Sequence, residues 1–465
     1  MNATATAAPA QPEHDRTRVA LKLHLMLIAL PLLLAGANGV SLWFVLQGER
    51  MSRGDMVMAA LAGTAVLSIP ALLAAAIGGF GLARIRAMGR AAMISREALL
   101  RAFTSGRKLL PWLIVGNGFF VLVASAICLT LWTLLLGEYG AHDRNNMKLV
   151  IAGGLGVLAL IFMAFKLIWT TYRSSRQLFE PEPLEAIGAR IHENDAPALW
   201  AFVREVAGKA RMAMPDHIVA GFDECFFVTE SAVRLRDRET LPPGRTLYLP
   251  MPYMAFMGRD EAAAVVGHEL AHFSGADTQY SQHFAPIYAS AVKNLHMLHE
   301  ADEGWLDLLI RPTRWLVEFF LDTFHLATRH WSRERELAAD RAGASVAGAR
   351  AIGLSLLRIG VLRPRVDEAI ERQSGKNARG GILGQVIALV RQQGLDDPRQ
   401  HLDDMQPHPT DTHPTTRKRL AALGIEENAA LFAEAVNPQC STLLVELGLA
   451  QPGDLDMASS TVAAS

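Results

Sequence analysis

The chain has 465 residues, enough for two or three domains. Its 45 Lys and Arg against 46 Asp and Glu leave a net charge of -1, which removes any electrostatic case for a nucleic-acid partner. Cys128, Cys225 and Cys440 stand far apart with no C-x-x-C spacing, so they read as buried thiols in a reducing compartment, neither a disulfide frame nor zinc ligands.

Residues 1–18 are rich in Ala, Pro and Thr with mixed charge and no apolar period, and are expected to form a disordered tail. Residues 19–172 then read as a four-helix transmembrane region, with spans at Leu21 to Leu46, Met56 to Leu82, Leu109 to Leu136 and Leu149 to Trp169. Each reaches the roughly 20 apolar residues that a hydrocarbon core requires. Ala35-Gly36-Ala37 could mimic a signal-peptidase site, but the apolar run continues through Leu42-Trp43-Phe44-Val45, which favours an uncleaved anchor. Between the second and third spans lie Arg84, Arg86, Arg90, Arg96, Arg101, Arg107 and Lys108 against the single acid Glu97. By the positive-inside rule this loop faces the cytoplasm of an inner-membrane, multi-pass protein. The connections 47–55 and 137–147 suit the other face. Arg16, Arg18 and Lys22, with Arg173 and Arg176, then put both termini and the soluble region in the cytoplasm.

From Tyr172 the sequence turns charged and periodic, with Glu180-Pro181-Glu182-Pro183 as a linker and an amphipathic helix over Ala196 to Lys209. His217 to Ala220, Cys225 to Thr229 and Thr246 to Pro250 read as short strands, with charged Arg234 to Glu239 between them. The expected architecture is therefore a mainly α membrane protein, four transmembrane helices followed by an α+β zincin-like domain with a small sheet, over residues 173–423. Residues 424–465 are expected as a C-terminal helical segment and flexible tail.

Val265-Val266-Gly267-His268-Glu269-Leu270-Ala271-His272 organises that domain. His268 and His272, four residues apart, share one helix face about 6 Å apart along the axis, within reach of one tetrahedral zinc ion. Glu269 is turned roughly 100° away and suits a general base on a zinc-activated water. The plain alternative is a coincidental surface helix, against which stand the acids Asp260 and Glu261 at a marked helix start and the apolar run Ala262 to Val266.

A two-histidine site needs a further ligand and an open position for water. Ser332-Arg333-Glu334-Arg335-Glu336-Leu337-Ala338-Ala339-Asp340 offers Glu336 as a zinc ligand, with Asp340 one turn on to orient a ligand histidine through its other ring nitrogen. Without the upstream motif, such a helix would read as a solvated acidic face. Residues 282–331 between the motifs carry apolar stripes, but Asp307, Arg311, Pro312, Arg314, Glu318 and Asp322 make them too charged to span. An amphipathic helical pair on the protease domain or at the bilayer surface is expected.

The pairing of His268-Glu269-x-x-His272 with Ser332-Arg333-x-x-Glu336-x-x-Ala339-Asp340 resembles the membrane zinc metallopeptidases of the HtpX and CAAX prenyl protease type. His413-Pro414-Thr415-Thr416-Arg417-Lys418-Arg419-Leu420 is similar to that family's late His-Pro motif. The resemblance implies one zinc ion per chain, a polypeptide substrate associated with the membrane or misfolded, and the bilayer as partner. It also implies that His413 and Arg419 lie near the metal and stabilise the developing oxyanion. Read without the resemblance, they are a turn and a basic helix start. The competing reading from another class is a membrane scaffold or regulatory protein with a structural, inactive zinc domain. Glu269 speaks against it, since a structural site has no use for a base. Prenyl-protein processing is a narrower alternative within the enzyme class.

Overall fold

The computed structural model describes residues 13–47, 52–140, 144–178, 183–236, 239–273, 284–300, 307–374, 381–407, 412–437 and 439–452. The first twelve residues of the expected tail and positions 453–465 lie outside them; helix α1 (Glu13–His24) already covers the last part of that tail. A π-turn over Leu25–Ala29 joins α1 to α2 (Leu30–Gln47), and α3 (Arg53–Leu67), α4 (Ile69–Ala92), α5 (Arg96–Gly140) and α6 (Arg144–Leu178) follow. Among the described residues four stretches are long and apolar enough to cross a bilayer, Val19–Gln47, Ile69–Ala92, Arg96–Leu136 and Lys148–Lys166, and the bent pair Arg314–Ala347 with Ala349–Arg372 reaches that length and hydropathy only when taken together. The expected span Met56 to Leu82 is two helices. Pro70 has no N–H for the carbonyl of Val66 and its ring crowds that carbonyl, so the ladder breaks at Ser68 and the span shifts to α4.

The rest of the chain runs β1 (Leu184–Ala186), β2 (Gly188–Arg190), α7 (Pro197–Ala210), β3 (His217–Gly221), β4 (Phe227–Thr229), β5 (Val233–Leu235), β6 (Thr240–Leu241) and β7 (Thr246–Pro250). Helices α8 (Met251–Met254), α9 (Arg259–Ala271), α10 (Ala285–Glu300), α11 (Asp307–Ala347), α12 (Ala349–Ser374) and α13 (Ile382–Gln393) come next. Then follow β8 (Met405–Pro407), β9 (Thr412–Thr415), α14 (Thr416–Ala422) and α15 (Ala429–Ala435). The molecule is mainly helical with small sheets, as its sequence predicts.

The chain divides into two compact units, Ala10–Glu180 with Ser290–Ala327 and Pro181–Ala289 with Thr328–Ser465. In the first, Asn117 Nδ2 donates to Leu27 O in the π-turn at 3.1 Å and to Ala74 O at 2.8 Å, because a hydrocarbon setting leaves no water for ladder carbonyls that a π-turn loosens. α5 is 45 residues long, about 68 Å at helical rise and more than twice a hydrocarbon core. Its start packs Phe103 against Phe320 and Phe324 of α11, with ring centroids 5.4 and 5.6 Å apart. The early part of α11 thus buries its apolar stripe on membrane-unit helices.

In the second unit β2, β3, β7 and β4 form a four-stranded sheet in that order, with β3 parallel to β7 and β4 antiparallel to it. β7 is buried at every position, as a central strand must be, and β4 is an edge. β1, β5 and β6 form a second, smaller sheet. The charged stretch Arg234 to Glu239, expected as a separator, starts inside β5, where Val233 and Leu235 point inward and Arg234 outward; three residues are too few to show that alternation in sequence. Leu199, Phe202, Val203 and Val206 of α7, at i, i+3, i+4 and i+7, pack with Leu247 and Leu249 of β7, Val266 and Leu270 of α9, and Leu362 and Val366 of α12 in one core. α11 ends at Gly348, whose φ of 93° suits glycine, and the chain turns by 118° there into α12.

Candidate active site

Helix α9 is buried from Glu261 to Ala271, so it is a core helix with no solvated side. Its start is tied twice. Glu261 accepts from Gly258 N at 3.2 Å, and Arg358 of α12 donates to both Glu261 oxygens, Nε at 3.0 Å and Nη2 at 3.2 Å. Arg358 also donates to the carbonyls of Glu434, Ala435 and Asn437, so one buried guanidinium pins α9 to the end of α15. α11 lies close against α9 because Gly343 has no side chain: a Cβ there would stand 2.5 Å from Ala264 O.

That close approach brings the two motifs together. His268 Nε2 is 3.4 Å from Glu336 Oε2, and His272 Nε2 is 3.5 Å from Glu336 Oε1. The imidazole rings of His268 and His272 stand 5.1 Å apart and nearly perpendicular. His413, from β9, donates its Nδ1–H to Glu336 Oε2. On the far side of His268, Nδ1–H donates to Asp340 Oδ1 at 2.9 Å, and Asp340 accepts from Arg419 Nε at 2.9 Å and Nη2 at 2.6 Å. The guanidinium also lies 3.3 Å from His268 Nδ1. All seven residues singled out in the sequence, His268, Glu269, His272, Glu336, Asp340, His413 and Arg419, are buried.

Among the described residues, His268, Glu336 and His413 can each offer a ligand atom within 4.8 Å of the rest. His272, expected as a ligand, is not in that group, although its Nε2 lies 3.5 Å from the other oxygen of Glu336. His413 is a hydrogen-bond donor to the carboxylate. Glu336 Oε1 and Glu269 Oε2 are buried and make no hydrogen bond among the described residues, an arrangement that a cation and its water would relieve.

The electrostatics follow from the same contacts. Burial raises the Glu336 carboxyl, but His413, His268 and His272 outweigh it and hold the group well below the usual carboxylate range. Burial likewise opposes the charge on Asp340, and Arg419 overrides it, keeping it anionic. Burial, helped by the Glu336 carboxylate, lifts Glu269 against the pull of His268, His413 and Arg419, as a base on an attacking water requires. Burial pushes the Cys225 thiol up, away from a metal-binding thiolate.

Sequence reasoning passed over two buried arginines and part of a cavity lining. Arg335 is buried, with Nη2 3.9 Å from Glu336 Oε1; its only signal was adjacency to the ligand. Arg358 had none, since its partner Glu261 is 97 positions away. Glu224, Cys225, Ile352, Leu356 and Ile359 line a small cavity together with His268, Glu269, His413 and Arg419, and no local pattern marks them.

Residues 243–427, which include all seven, match Peptidase family M48. The chain is a metalloprotease, and so a hydrolase, resembling the HtpX type. A protease HtpX homolog of Gemmatimonas aurantiaca is 25% identical over 287 residues, 59% of this chain and 90% of that relative. A protease HtpX homolog of Thermodesulfovibrio yellowstonii is 28% identical over 232 residues, 47% of this chain and 76% of the relative. No solved structure matches the chain. The M48 likeness and the four apolar helices make this a membrane metalloprotease, for which a polypeptide is the substrate and a bilayer the setting.

Proposed function

We propose that the chain is an integral membrane zinc endopeptidase that cleaves membrane-associated or misfolded proteins, with residues 173–423 as its catalytic domain on the cytoplasmic side of the inner membrane. The observation that carries this reading is the carboxylate of Glu336 facing His268 Nε2 with one oxygen and His272 Nε2 with the other. These three residues would hold one zinc ion, which supplies Lewis-acid polarisation of the scissile carbonyl and acidifies a water. Glu269 takes the proton of the attacking water and passes it to the leaving amine, so no covalent intermediate forms. Asp340 fixes His268 with its proton on Nδ1 and leaves Nε2 for the metal. Arg419, with two nitrogens engaged by Asp340, acts as a positioning group for that aspartate, which leaves oxyanion stabilisation to His413.

An extended substrate would add to the outer edge of β4, which pairs with no further strand among the described residues and is the strand nearest in sequence to the cavity residues Glu224, Cys225 and Phe226. The basic residues from Arg84 to Lys108, at the end of α4 and the start of α5, support the cytoplasmic orientation.

Zinc content and hydrolysis of an unfolded protein such as casein, measured on detergent-purified wild type and Glu269→Gln, test the reading. Both proteins should bind about one zinc and only the wild type should cleave, since a general base contributes about 10²–10⁴-fold. Absence of zinc from both would return the chain to the scaffold alternative.

A further inference from the structure

The cavity beside Glu269 has a floor that the reaction chemistry does not use. Ile352, Leu356 and Ile359 fall on one face of α12, at i, i+4 and i+7, and with Val265 of α9 and Phe226 they form a buried apolar wall. His268, Glu269, His413 and Arg419 line the same cavity, so the apolar wall and the candidate active-site residues border one space. Glu224 and Cys225, both half-buried, complete the lining. The volume is about 30 Å³. That is room for roughly two water-sized groups at about 10–15 Å³ each, more than the single carbon of an alanine side chain, just under the branched side chain of valine, and well short of leucine or phenylalanine.

We propose that this cavity receives the side chain of the substrate residue flanking the scissile bond and selects a small aliphatic one, alanine to valine. The inference rests on the zinc endopeptidase reading for the place of the scissile bond. Its selectivity has two physical sources. A larger side chain must push apart close-packed Ile352, Leu356 and Ile359, which costs more than its extra burial returns. An acidic side chain would be brought into an apolar space bordered by two further carboxylates, Glu224 and Glu269. A methylene more or less in such a pocket changes discrimination by about 10–200-fold.

The test reads binding and does not depend on turnover. Short peptidyl hydroxamates, identical except for one side chain (methyl, isopropyl, benzyl or carboxymethyl), are titrated by calorimetry into the zinc-loaded full chain in detergent. The titrations are repeated with Leu356→Ala and Ile359→Ala, and with the milder Ile359→Val should an alanine variant fail to fold. Methyl and isopropyl should bind at least about 10-fold more tightly than benzyl and carboxymethyl to the wild type. The widened variants should close most of the benzyl gap and leave the carboxymethyl gap in place. A flat series, no binding by any member, or a benzyl gap that the widened variants leave unchanged would overturn the proposal. Preserved side-chain selectivity in a protein that cleaves no peptide would sink the endopeptidase reading and leave the subsite standing.

Discussion

Arg419 forks onto Asp340 with two hydrogen bonds, Nε to Oδ2 at 2.9 Å and Nη2 to Oδ1 at 2.6 Å, where both residues are almost wholly shielded from water. The pair joins α14 to α11 and lies behind His268, so it links the late His-Pro segment to the orientation of a candidate metal ligand. Arg419→Ala would leave a charged Asp340 buried without its partner. The expected cost is about 3–5 kcal/mol of stability, read as a lowered unfolding temperature. Arg419→Lys should fall between, because an ammonium restores the charge and not the fork.

Asp340→Asn keeps the size of the side chain and removes the charge that fixes His268 with its proton on Nδ1. Zinc affinity should fall by about 10–100-fold, measured by competition with a chromogenic chelator. Unchanged affinity would show that His268 is held by packing alone.

Glu336→Gln should lose the metal, unlike Glu269→Gln. An amide presents one weak acceptor where the carboxylate faces two imidazoles and His413. Metal analysis after gel filtration should find much less than one zinc per chain in Glu336→Gln, and retention at wild-type level would remove Glu336 from the ligand set.

Gly343→Ala tests the close approach of α11 to α9. The added Cβ would sit 2.5 Å from a backbone carbonyl, which cannot swing aside as a side chain does, so α11 must move and carry Glu336 and Asp340 with it. Loss of stability by about 1–3 kcal/mol and weaker zinc binding should appear together. Gly258→Ala, where a Cβ meets nothing within 4 Å, is the control.

Asp223 gives a pH dependence that involves none of the candidate metal ligands. Burial raises its carboxyl from 3.8 to about 6, against the opposing hydrogen bond from Ile187 N. A folded-state value above the unfolded one means the native protein binds the extra proton. The contribution of Asp223 is therefore fully present below about pH 4 and is lost as the pH rises through 6. Two units correspond to about 3 kcal/mol at most. Unfolding temperatures between pH 4.5 and 7 should decline less in Asp223→Asn than in wild type.

Much of this molecule is written locally. Apolar runs long enough for a hydrocarbon core specify membrane helices wherever they lie, since no water is there to satisfy an open backbone. The spacing of His268 and His272, and of Glu336 and Asp340, places each pair on one helix face by the period of the helix itself. Proline and glycine set the limits of such reading: Pro70 divides a run that hydropathy alone joins, and Gly348 divides a helix-favouring one.

What the sequence could not decide is which faces meet. Glu336 is 64 positions from His272, Asp340 is 79 from Arg419, and Arg358 is 97 from Glu261; only packing in three dimensions brings those charges into one dry interior. Sequence periodicity determined that α9 and α11 would each carry their groups on one side. The tertiary structure decided that Gly343 lets the helices close, that Arg419 faces Asp340, and that three aliphatic residues of α12 line the space beside Glu269. The reason is physical: helix period acts over a few residues, whereas desolvation and close packing depend on neighbours that the chain supplies from far away.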